Sequence, residues 1–265
     1  MKTGFIGCGN MGGALIKAAA KSIDKNDIYV YDRAKEKADA LGASLGVVSC
    51  DEEKVIKEAK YIFLGVKPQV LECAIGEIKD TLKARKDRFI IVSMAAGVKI
   101  SKITAFFGFE LPVIRIMPNT PVSVGEGMIL YDANDLVTDA EKKEFSEILK
   151  RAGKLDNLPE ALIDAGCALS GCGPAFVDLF IEALSDAGVK CGLPRDKALL
   201  YAAQTLLGSS KLAIETGAHP AVLKDAVCSP GGSTIAGVHA LEENGFRGAC
   251  MDAVCAAFER TKELG

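Results

Sequence analysis

The chain contains no tryptophan, only two histidines and five tyrosines, and no CxxC pair among its nine cysteines. Few aromatics leave little to stack bases, and a formal net charge of −3 removes the basic face that an electrostatic nucleic-acid binder needs. His219 and His239 lack metal-ligand spacing, which with the missing CxxC argues against a zinc or iron–sulfur site, and no metal is expected. No GxSxG order occurs and neither histidine has an evident Ser or Cys partner, which argues against a hydrolase. The start, MKTGFIGCGNMGG, is cut by glycines and does not read as a signal peptide. No apolar segment approaches the ~20 residues needed to span a bilayer, so no membrane partner is expected. An odd number of cysteines at irregular spacing, many within apolar helical patterns, predicts buried thiols in a reducing, cytoplasmic setting.

What the chain does have is 265 residues, 49% hydrophobic and 25% charged, the balance of a globular protein with a substantial core. Its first half alternates short β-rich runs with helical patterns. TGFIG (3–7), DIYVY (27–31), YIFLGV (61–66), RFIIVSM (88–94) and PVIRIM (112–117) read as strands, and GMILY (127–131) as one more. Helical spacing covers 11–21, 34–41, 51–60, 70–82, 100–107 and 139–151. Strands apolar throughout, alternating with helices, predict a doubly wound parallel α/β sheet. Beyond Leu158 the strand pattern stops, and segments at 161–168, 174–187, 195–216, 220–227, 234–243 and 247–264 all show helical spacing. The expected domains are therefore 1–158, binding a dinucleotide, and 159–265, all helical, binding substrate and dimerising.

Gly7-Cys8-Gly9-Asn10-Met11-Gly12 follows the first strand and opens a helix, and Asp32 ends the second strand twenty residues beyond Gly12. This is the full context of a dinucleotide fingerprint. Gly7 permits a tight turn, Gly9 lets the backbone approach a pyrophosphate, and Gly12 lets helix and strand pack closely. Free N–H groups at the helix start then face the negative charge. Asp32 suits a ribose 2′-hydroxyl, as in NAD, whereas Arg33, with Lys35 and Lys37 nearby, suits the 2′-phosphate of NADP; both cofactors stay open. Ligands of such sheets sit beyond the carboxyl ends of the strands. That selects Val66-Lys67-Pro68, Ala95-Ala96 and the proline-bracketed Asn119. In the helical half, VCSPGGSTIAG (227–237) carries more loop chemistry than a bend between helices requires.

GFIGCGNMGGAL (4–15), GVKPQ (65–69), AAGV (95–98), IRIMPNTP (114–121), LSGCGPAF (169–176) and KDAVCSPGGSTIAGVHALEENGFR (224–247) together resemble the pyrroline-5-carboxylate reductases, in the same order and over essentially the whole chain. The resemblance implies an N-terminal Rossmann domain and a helical domain that interleaves with a partner's. It further implies a homodimer that assembles to a higher oligomer such as a decamer. Residues Ile6 to Met11, Asp32, Arg33, Val66 to Pro68, Ala95 and Ala96 would line the cofactor. Ser233 and Thr234 would hold the substrate, with Glu160 near it and an active site that a partner helps to complete. Many members carry a non-acidic residue where Asp32 stands, so the choice between NADP and NAD is not carried over.

The implied reaction is hydride transfer to the C=N bond of 1-pyrroline-5-carboxylate, giving L-proline, the last step of proline biosynthesis. Such an imine is most electrophilic when its nitrogen is protonated, and the iminium can form in solution, so a site that binds a carboxylate, orients the bond and excludes water suffices. Gly231 and Gly232 can turn N–H groups inward, and Thr234 begins a helix whose positive end points the same way. Backbone N–H groups near Gly232–Thr234 are thus expected to bind the carboxylate, and the Thr234 hydroxyl to orient the ring nitrogen. Two rivals are a β-hydroxyacid dehydrogenase or other imine reductase, which would want a lysine or other strong acid/base in the helical half, and a non-catalytic nucleotide-binding regulator.

Overall fold

A computed structural model describes residues 1–264. It divides into two compact units: Met1–Cys172 together with the chain from Ala257, and Gly173–Ala256.

The first unit is built on one eight-stranded sheet: β1 (Thr3–Ile6), β2 (Ile28–Tyr31), β3 (Val48–Ser49), β4 (Tyr61–Leu64), β5 (Ile90–Ser93), β6 (Val113–Pro118), β7 (Gly127–Ala133) and β8 (Gly153–Asn157). Its order is β3-β2-β1-β4-β5-β6-β7-β8, parallel except where β7 runs against β6. Helices α1 (Asn10–Ala19), α2 (Lys35–Leu45), α3 (Glu52–Glu58), α4 (Pro68–Ala84), α5 (Ile100–Phe107) and α6 (Asp139–Leu149) connect the strands. This is a Rossmann-type doubly wound sheet.

The two faces follow from side-chain alternation along the strands. Phe5, Phe63, Ile90, Val92, Ile114 and Ile116 point to one layer, with Leu15, Ile16, Phe145 and Ile148 of α1 and α6. Ile6, Ile62, Leu64, Ile91 and Val113 point to the other, with Val55, Leu71, Ile75, Ile103 and Phe107 of α3, α4 and α5. Because both faces are covered, the strands are apolar throughout, which is why they were legible as a parallel sheet.

Two strands had not been expected. β3 is a two-residue edge, too short for any periodicity, and β8 (GKLDN) is largely exposed and charged, so it lacks an apolar signature. Its position depends on Gly153, at φ +134°, lying opposite Gly127, where any side chain would collide with the neighbouring backbone.

The remaining helices are α7 (Glu160–Gly166), α8 (Gly173–Lys190), α9 (Arg195–Thr216), α10 (Pro220–Ala226), α11 (Ser233–Glu243) and α12 (Phe246–Leu264). A π-helical turn over Cys167–Gly171 joins α7 to α8, so the chain is continuously helical from Glu160 to Lys190. By length and composition alone this 31-residue stretch is apolar enough to cross a membrane, contrary to the expectation from the sequence. Scattered charges such as Asp164, Asp178 and Glu182 interrupt the apolar run without lowering its average enough. Within Gly173–Ala256 only Ser185, Ala198 and Ala202 are fully buried, and Val177, Leu179, Leu200, Leu207, Ile214 and Met251 lie exposed. Helices this apolar with so little buried are an interface waiting for a partner.

The thiols also correct an expectation. All nine cysteines are free, but only Cys8 and Cys167 are buried; Cys73, Cys191, Cys250 and Cys255 are exposed. Apolar helical spacing marked them as core, whereas in this chain part of that spacing belongs to uncovered helix faces.

Candidate active site

At the carboxyl ends of β1, β2 and β4 lies a cleft of ≈ 250 Å³. Its lining includes Ile6, Gly7, Gly9, Asp32, Arg33, Val66 and Lys67 from the expected cofactor set. The backbone that shapes it is tightly specified. The Gly7 N–H donates to the Tyr31 carbonyl at 2.8 Å and the Gly65 N–H to the Ile6 carbonyl at 2.7 Å. Gly7 sits at φ +105°, and a Cβ there would stand 2.6 Å from the Gly65 carbonyl oxygen, so only glycine fits the turn. A Cβ on Gly12 would strike the Gly7 carbonyl, so α1 could not approach β1 as it does. Gly9 differs from both: a Cβ on it would meet nothing within 4 Å, because it faces the open cleft. Gly9 precedes α1 and has no side chain to cap it, which leaves the first-turn N–H groups at Asn10 and Met11 facing an anion's place. These features fit a dinucleotide pyrophosphate.

Asp32 does more than mark the end of β2. Its Oδ2 accepts the Cys8 N–H at 2.7 Å and its Oδ1 the Ala34 N–H at 2.9 Å, fastening the glycine turn to the second strand. Each carboxylate oxygen keeps lone-pair capacity for a ribose hydroxyl. Cys8 contributes backbone only: its thiol is buried in the core beside the Tyr31 carbonyl, and burial pushes it up to about 12, which makes it unreactive. Arg33 is not free. Its Nη2 donates to both carboxylate oxygens of Glu77, at 2.7 and 2.8 Å. Tyr31, Lys37, Glu52, Gly65, Val70, Ala74 and Glu77 complete the cleft; of these Lys37 had been expected beside Arg33, whereas Tyr31, Glu52, Val70, Ala74 and Glu77 had not. Val70, Ala74 and Glu77 share one face of α4 at helical spacing, which could have been read once Lys67-Pro68 was taken as a helix start.

Lys67 stands immediately before α4 and Pro68 occupies its first position, with a ring that suits a helix start. Ala95 and Ala96 follow β5; Ala95 is buried with its N–H 3.4 Å from the Ser93 hydroxyl, and Ala96 is exposed. Neither lines the cleft just described.

Asn119 is 9% exposed and its amide bonds to backbone at both its nitrogen and its oxygen. Nδ2 donates to the Ser170 carbonyl at 2.9 Å and Oδ1 accepts the Met128 N–H at 2.9 Å, so the side chain ties the β6 loop to β7 and to the π-turn. Glu160 begins α7, and its Oε1 accepts the Ile100 N–H at 2.7 Å, capping α5. The same oxygen lies 3.4 Å from Nη1 of Arg115, whose Nη2 binds Asp164 at 2.6 Å. Arg115 lies in the middle of β6 with 0% exposure, and its Nε has no partner. This buried cation, missed in the sequence because it stands among strand residues, holds α7 against the sheet through two carboxylates.

The GGST loop belongs to the second unit. Gly231 adopts φ +69°, and Gly232 donates its N–H to the Ser229 carbonyl at 3.0 Å. Gly232's N–H is therefore spent on the turn, a correction to the expectation that it faces a ligand. α11 begins at Ser233, and Gly232 has no side chain to cap it. The N–H groups of Ser233 and Thr234 occupy the first turn, and both residues are exposed. A side chain on Gly232 would meet the Ser229 hydroxyl and crowd the Ser229 carbonyl at 3.1 Å, so the loop is closely packed at this point. Asn119 and Glu160 lie in the first unit, Gly232, Ser233 and Thr234 in the second.

Residues 160–264 match the family described as pyrroline-5-carboxylate reductase dimerisation, and residues 2–97 match one described as NADP oxidoreductase, coenzyme F420-dependent. The pyrroline-5-carboxylate reductase of Escherichia coli is 40% identical over 99% of this chain and 98% of its own length. The chain belongs to the pyrroline-5-carboxylate reductase family. A relative of the same name from Methanosarcina acetivorans is 40% identical over 100% of the chain and 98% of its own. The crystal structure of Plasmodium falciparum pyrroline carboxylate reductase with NADP bound superposes with a TM-score of 0.88. It is 34% identical and covers 100% of this chain and 98% of that one. Membership accounts for both the glycine cleft and the uncovered helical half.

Proposed function

We infer that this protein is a pyrroline-5-carboxylate reductase, an NAD(P)H-dependent oxidoreductase that reduces the C=N bond of 1-pyrroline-5-carboxylate to give L-proline, the last step of proline biosynthesis. The observation that carries this reading is the full-length match, near 40%, to reductases of that name across both halves of the chain. The reduced nicotinamide cofactor supplies the hydride. Ile6 to Gly12 hold its pyrophosphate, Asp32 and Arg33 meet the adenosine ribose, and Val66, Lys67, Pro68, Ala95 and Ala96 border the path of the chain of atoms between them and the nicotinamide. NADP is supported by the NADP-bound relative, and NAD by the carboxylate of Asp32.

For the substrate, the N–H groups of Ser233 and Thr234 at the positive end of α11 bind the carboxylate. The Thr234 hydroxyl bonds to the ring nitrogen and orients it. Gly232 sets the loop. Asn119 and Glu160 act at one remove, by fixing the loops after β6 and before α5. The imine nitrogen arrives protonated, so hydride addition at C5 completes the reaction and no group on the chain must surrender a proton. Thr234→Val keeps the side chain's shape and removes its hydroxyl. It lowers kcat/KM for pyrroline-5-carboxylate by about tenfold, the size of one lost polar contact to a charged group. An unchanged kcat/KM would remove Thr234 from the site.

The exposed apolar faces of α8 to α12 form the interface of a homodimer. Around Phe176, Val177, Phe180, Leu241 and Phe246 they leave an open groove of ≈ 540 Å³, with Phe180 and Phe246 in ring contact at 5.4 Å. The Glu160–Lys190 stretch therefore meets a second copy of the chain and not lipid. Nine unpaired thiols, four of them exposed, favour a reducing, cytoplasmic location.

A further inference from the structure

The cofactor cleft holds two carboxylates that nucleotide binding does not itself require. Glu77, on the exposed face of α4, accepts from Arg33, the cation directly after Asp32, at both carboxylate oxygens, and from the Cys73 thiol one turn earlier at 3.9 Å. Glu52, at the start of α3, lines the same cleft half-buried. Burial, then the nearby charge of Glu77, pushes the Glu52 carboxyl up, so the two groups feel one another. Lys37 is the other cation on the β2 side. An arginine in this place is what accepts a 2′-phosphate, and an acidic residue is what accepts a 2′-hydroxyl. Here the arginine is already paired, and each further carboxylate repels a phosphate that a bare hydroxyl would not bring.

Resting on the nicotinamide-cofactor reading of this cleft, we propose that Glu77 is a specificity residue that acts through Arg33. It holds the guanidinium in an ion pair and thereby restrains the use of 2′-phosphorylated nucleotide relative to the unphosphorylated form. The pair is a gate and not a lock. Its side chains are 64% and 47% exposed, so the pairing alone is worth a factor of about two to five in an equilibrium. Removing the negative charge beside the phosphate adds to this.

The test measures dissociation constants for NADPH and NADH by nucleotide fluorescence, without turnover, in four proteins: the natural chain, Glu77→Gln, Arg33→Ala and the double variant. Glu77→Gln raises the preference for NADPH over NADH by about three- to tenfold. In the Arg33→Ala background the same substitution changes that preference less than about twofold, the coupling that a residue acting through Arg33 must show. A preference unmoved by Glu77→Gln overturns the inference, and so does an equal shift with Arg33 absent. Glu77 lies on an exposed helix face, so folding is not at stake; Glu77→Ala repeats the test without the amide. If the reductase reading fails, nucleotide oxidation with pyrroline-5-carboxylate is absent while the binding shift stands. If this inference fails, turnover is normal and the shift is missing.

Discussion

Gly9→Ala separates the glycine loop's ligand role from its structural one. The backbone there, φ −67° and ψ −171°, is open to any L-residue, and a Cβ has no neighbour within 4 Å. Alanine is a poorer helix cap than glycine by about 1 kcal/mol or less, a shift of roughly 2–4 °C in the unfolding midpoint. In the complex the same methyl stands where the pyrophosphate must lie against the first turn of α1. Displacing it by about a bond length forfeits one or two charge-assisted hydrogen bonds, each worth ~1.5–3 kcal/mol. The dissociation constants for NADH and NADPH therefore rise by about tenfold to a hundredfold or more. Titration by nucleotide fluorescence, with a thermal melt on the same sample, reads both quantities. Gly12→Ala is the contrasting control: its methyl strikes the Gly7 carbonyl, so it lowers the melting midpoint steeply even without nucleotide. Affinity within twofold of the natural chain in Gly9→Ala would refute the assignment of this loop to the pyrophosphate. A melt as low as that of Gly12→Ala would show that Gly9 serves the fold instead.

Two further predictions concern charge and assembly. Glu141 is 9% exposed, and the Arg88 guanidinium, helped by the Thr138 N–H and hydroxyl, holds its carboxyl down at about 2. A lowered carboxyl stabilises the fold above its ordinary range and loses that contribution as pH falls from about 4.5 towards 2. Because Arg88 is 47% exposed, the contribution is about 1–2 kcal/mol, well short of the full linkage value. Urea unfolding should show Glu141→Gln less stable than the natural chain near neutral pH, with the gap narrowing below about pH 4.5 and closing towards pH 2; a constant gap would contradict the pairing. Val177→Glu with Leu179→Glu, at positions 46% and 66% exposed, places charge at two uncovered positions of α8. Sedimentation should then find a smaller particle than the homo-oligomer formed by the natural chain, and an unchanged mass would exclude these positions from the interface.

How much of this was readable in the sequence depended on which force shaped each element. β1, β2, β4, β5 and β6 are buried on both faces, so Phe63 and Ile91 could announce their strands through composition alone. β8 is held by its pairing with β7 and by the Gly127–Gly153 approach, neither of which leaves a periodic signal. The glycine turn was legible because Gly7 and Gly12 each answer a separate steric demand of the fold and Gly9 stands at the helix start between them. Glu52 was not: it reaches the cleft from α3, and nothing local to that helix says which strand end it overhangs, whereas Glu77 becomes readable only after Lys67-Pro68 is taken as the start of α4. Asn119 stood out between prolines, yet only coordinates reveal that both ends of its amide are taken by Ser170 and Met128. Arg115 was hidden for the opposite reason: a charge inside an apolar strand reads as an edge until its partners on α7 are seen.

The central claim is a hydride delivered to a carbon–nitrogen double bond. Its most direct test supplies the purified chain with 1-pyrroline-5-carboxylate and a reduced nicotinamide cofactor carrying deuterium at the transferable position, followed by NMR of the product. The account predicts L-proline with deuterium at C5, formed one for one with oxidised nucleotide. Nucleotide that binds but is not oxidised by this imine, or a product labelled anywhere else, would contradict it.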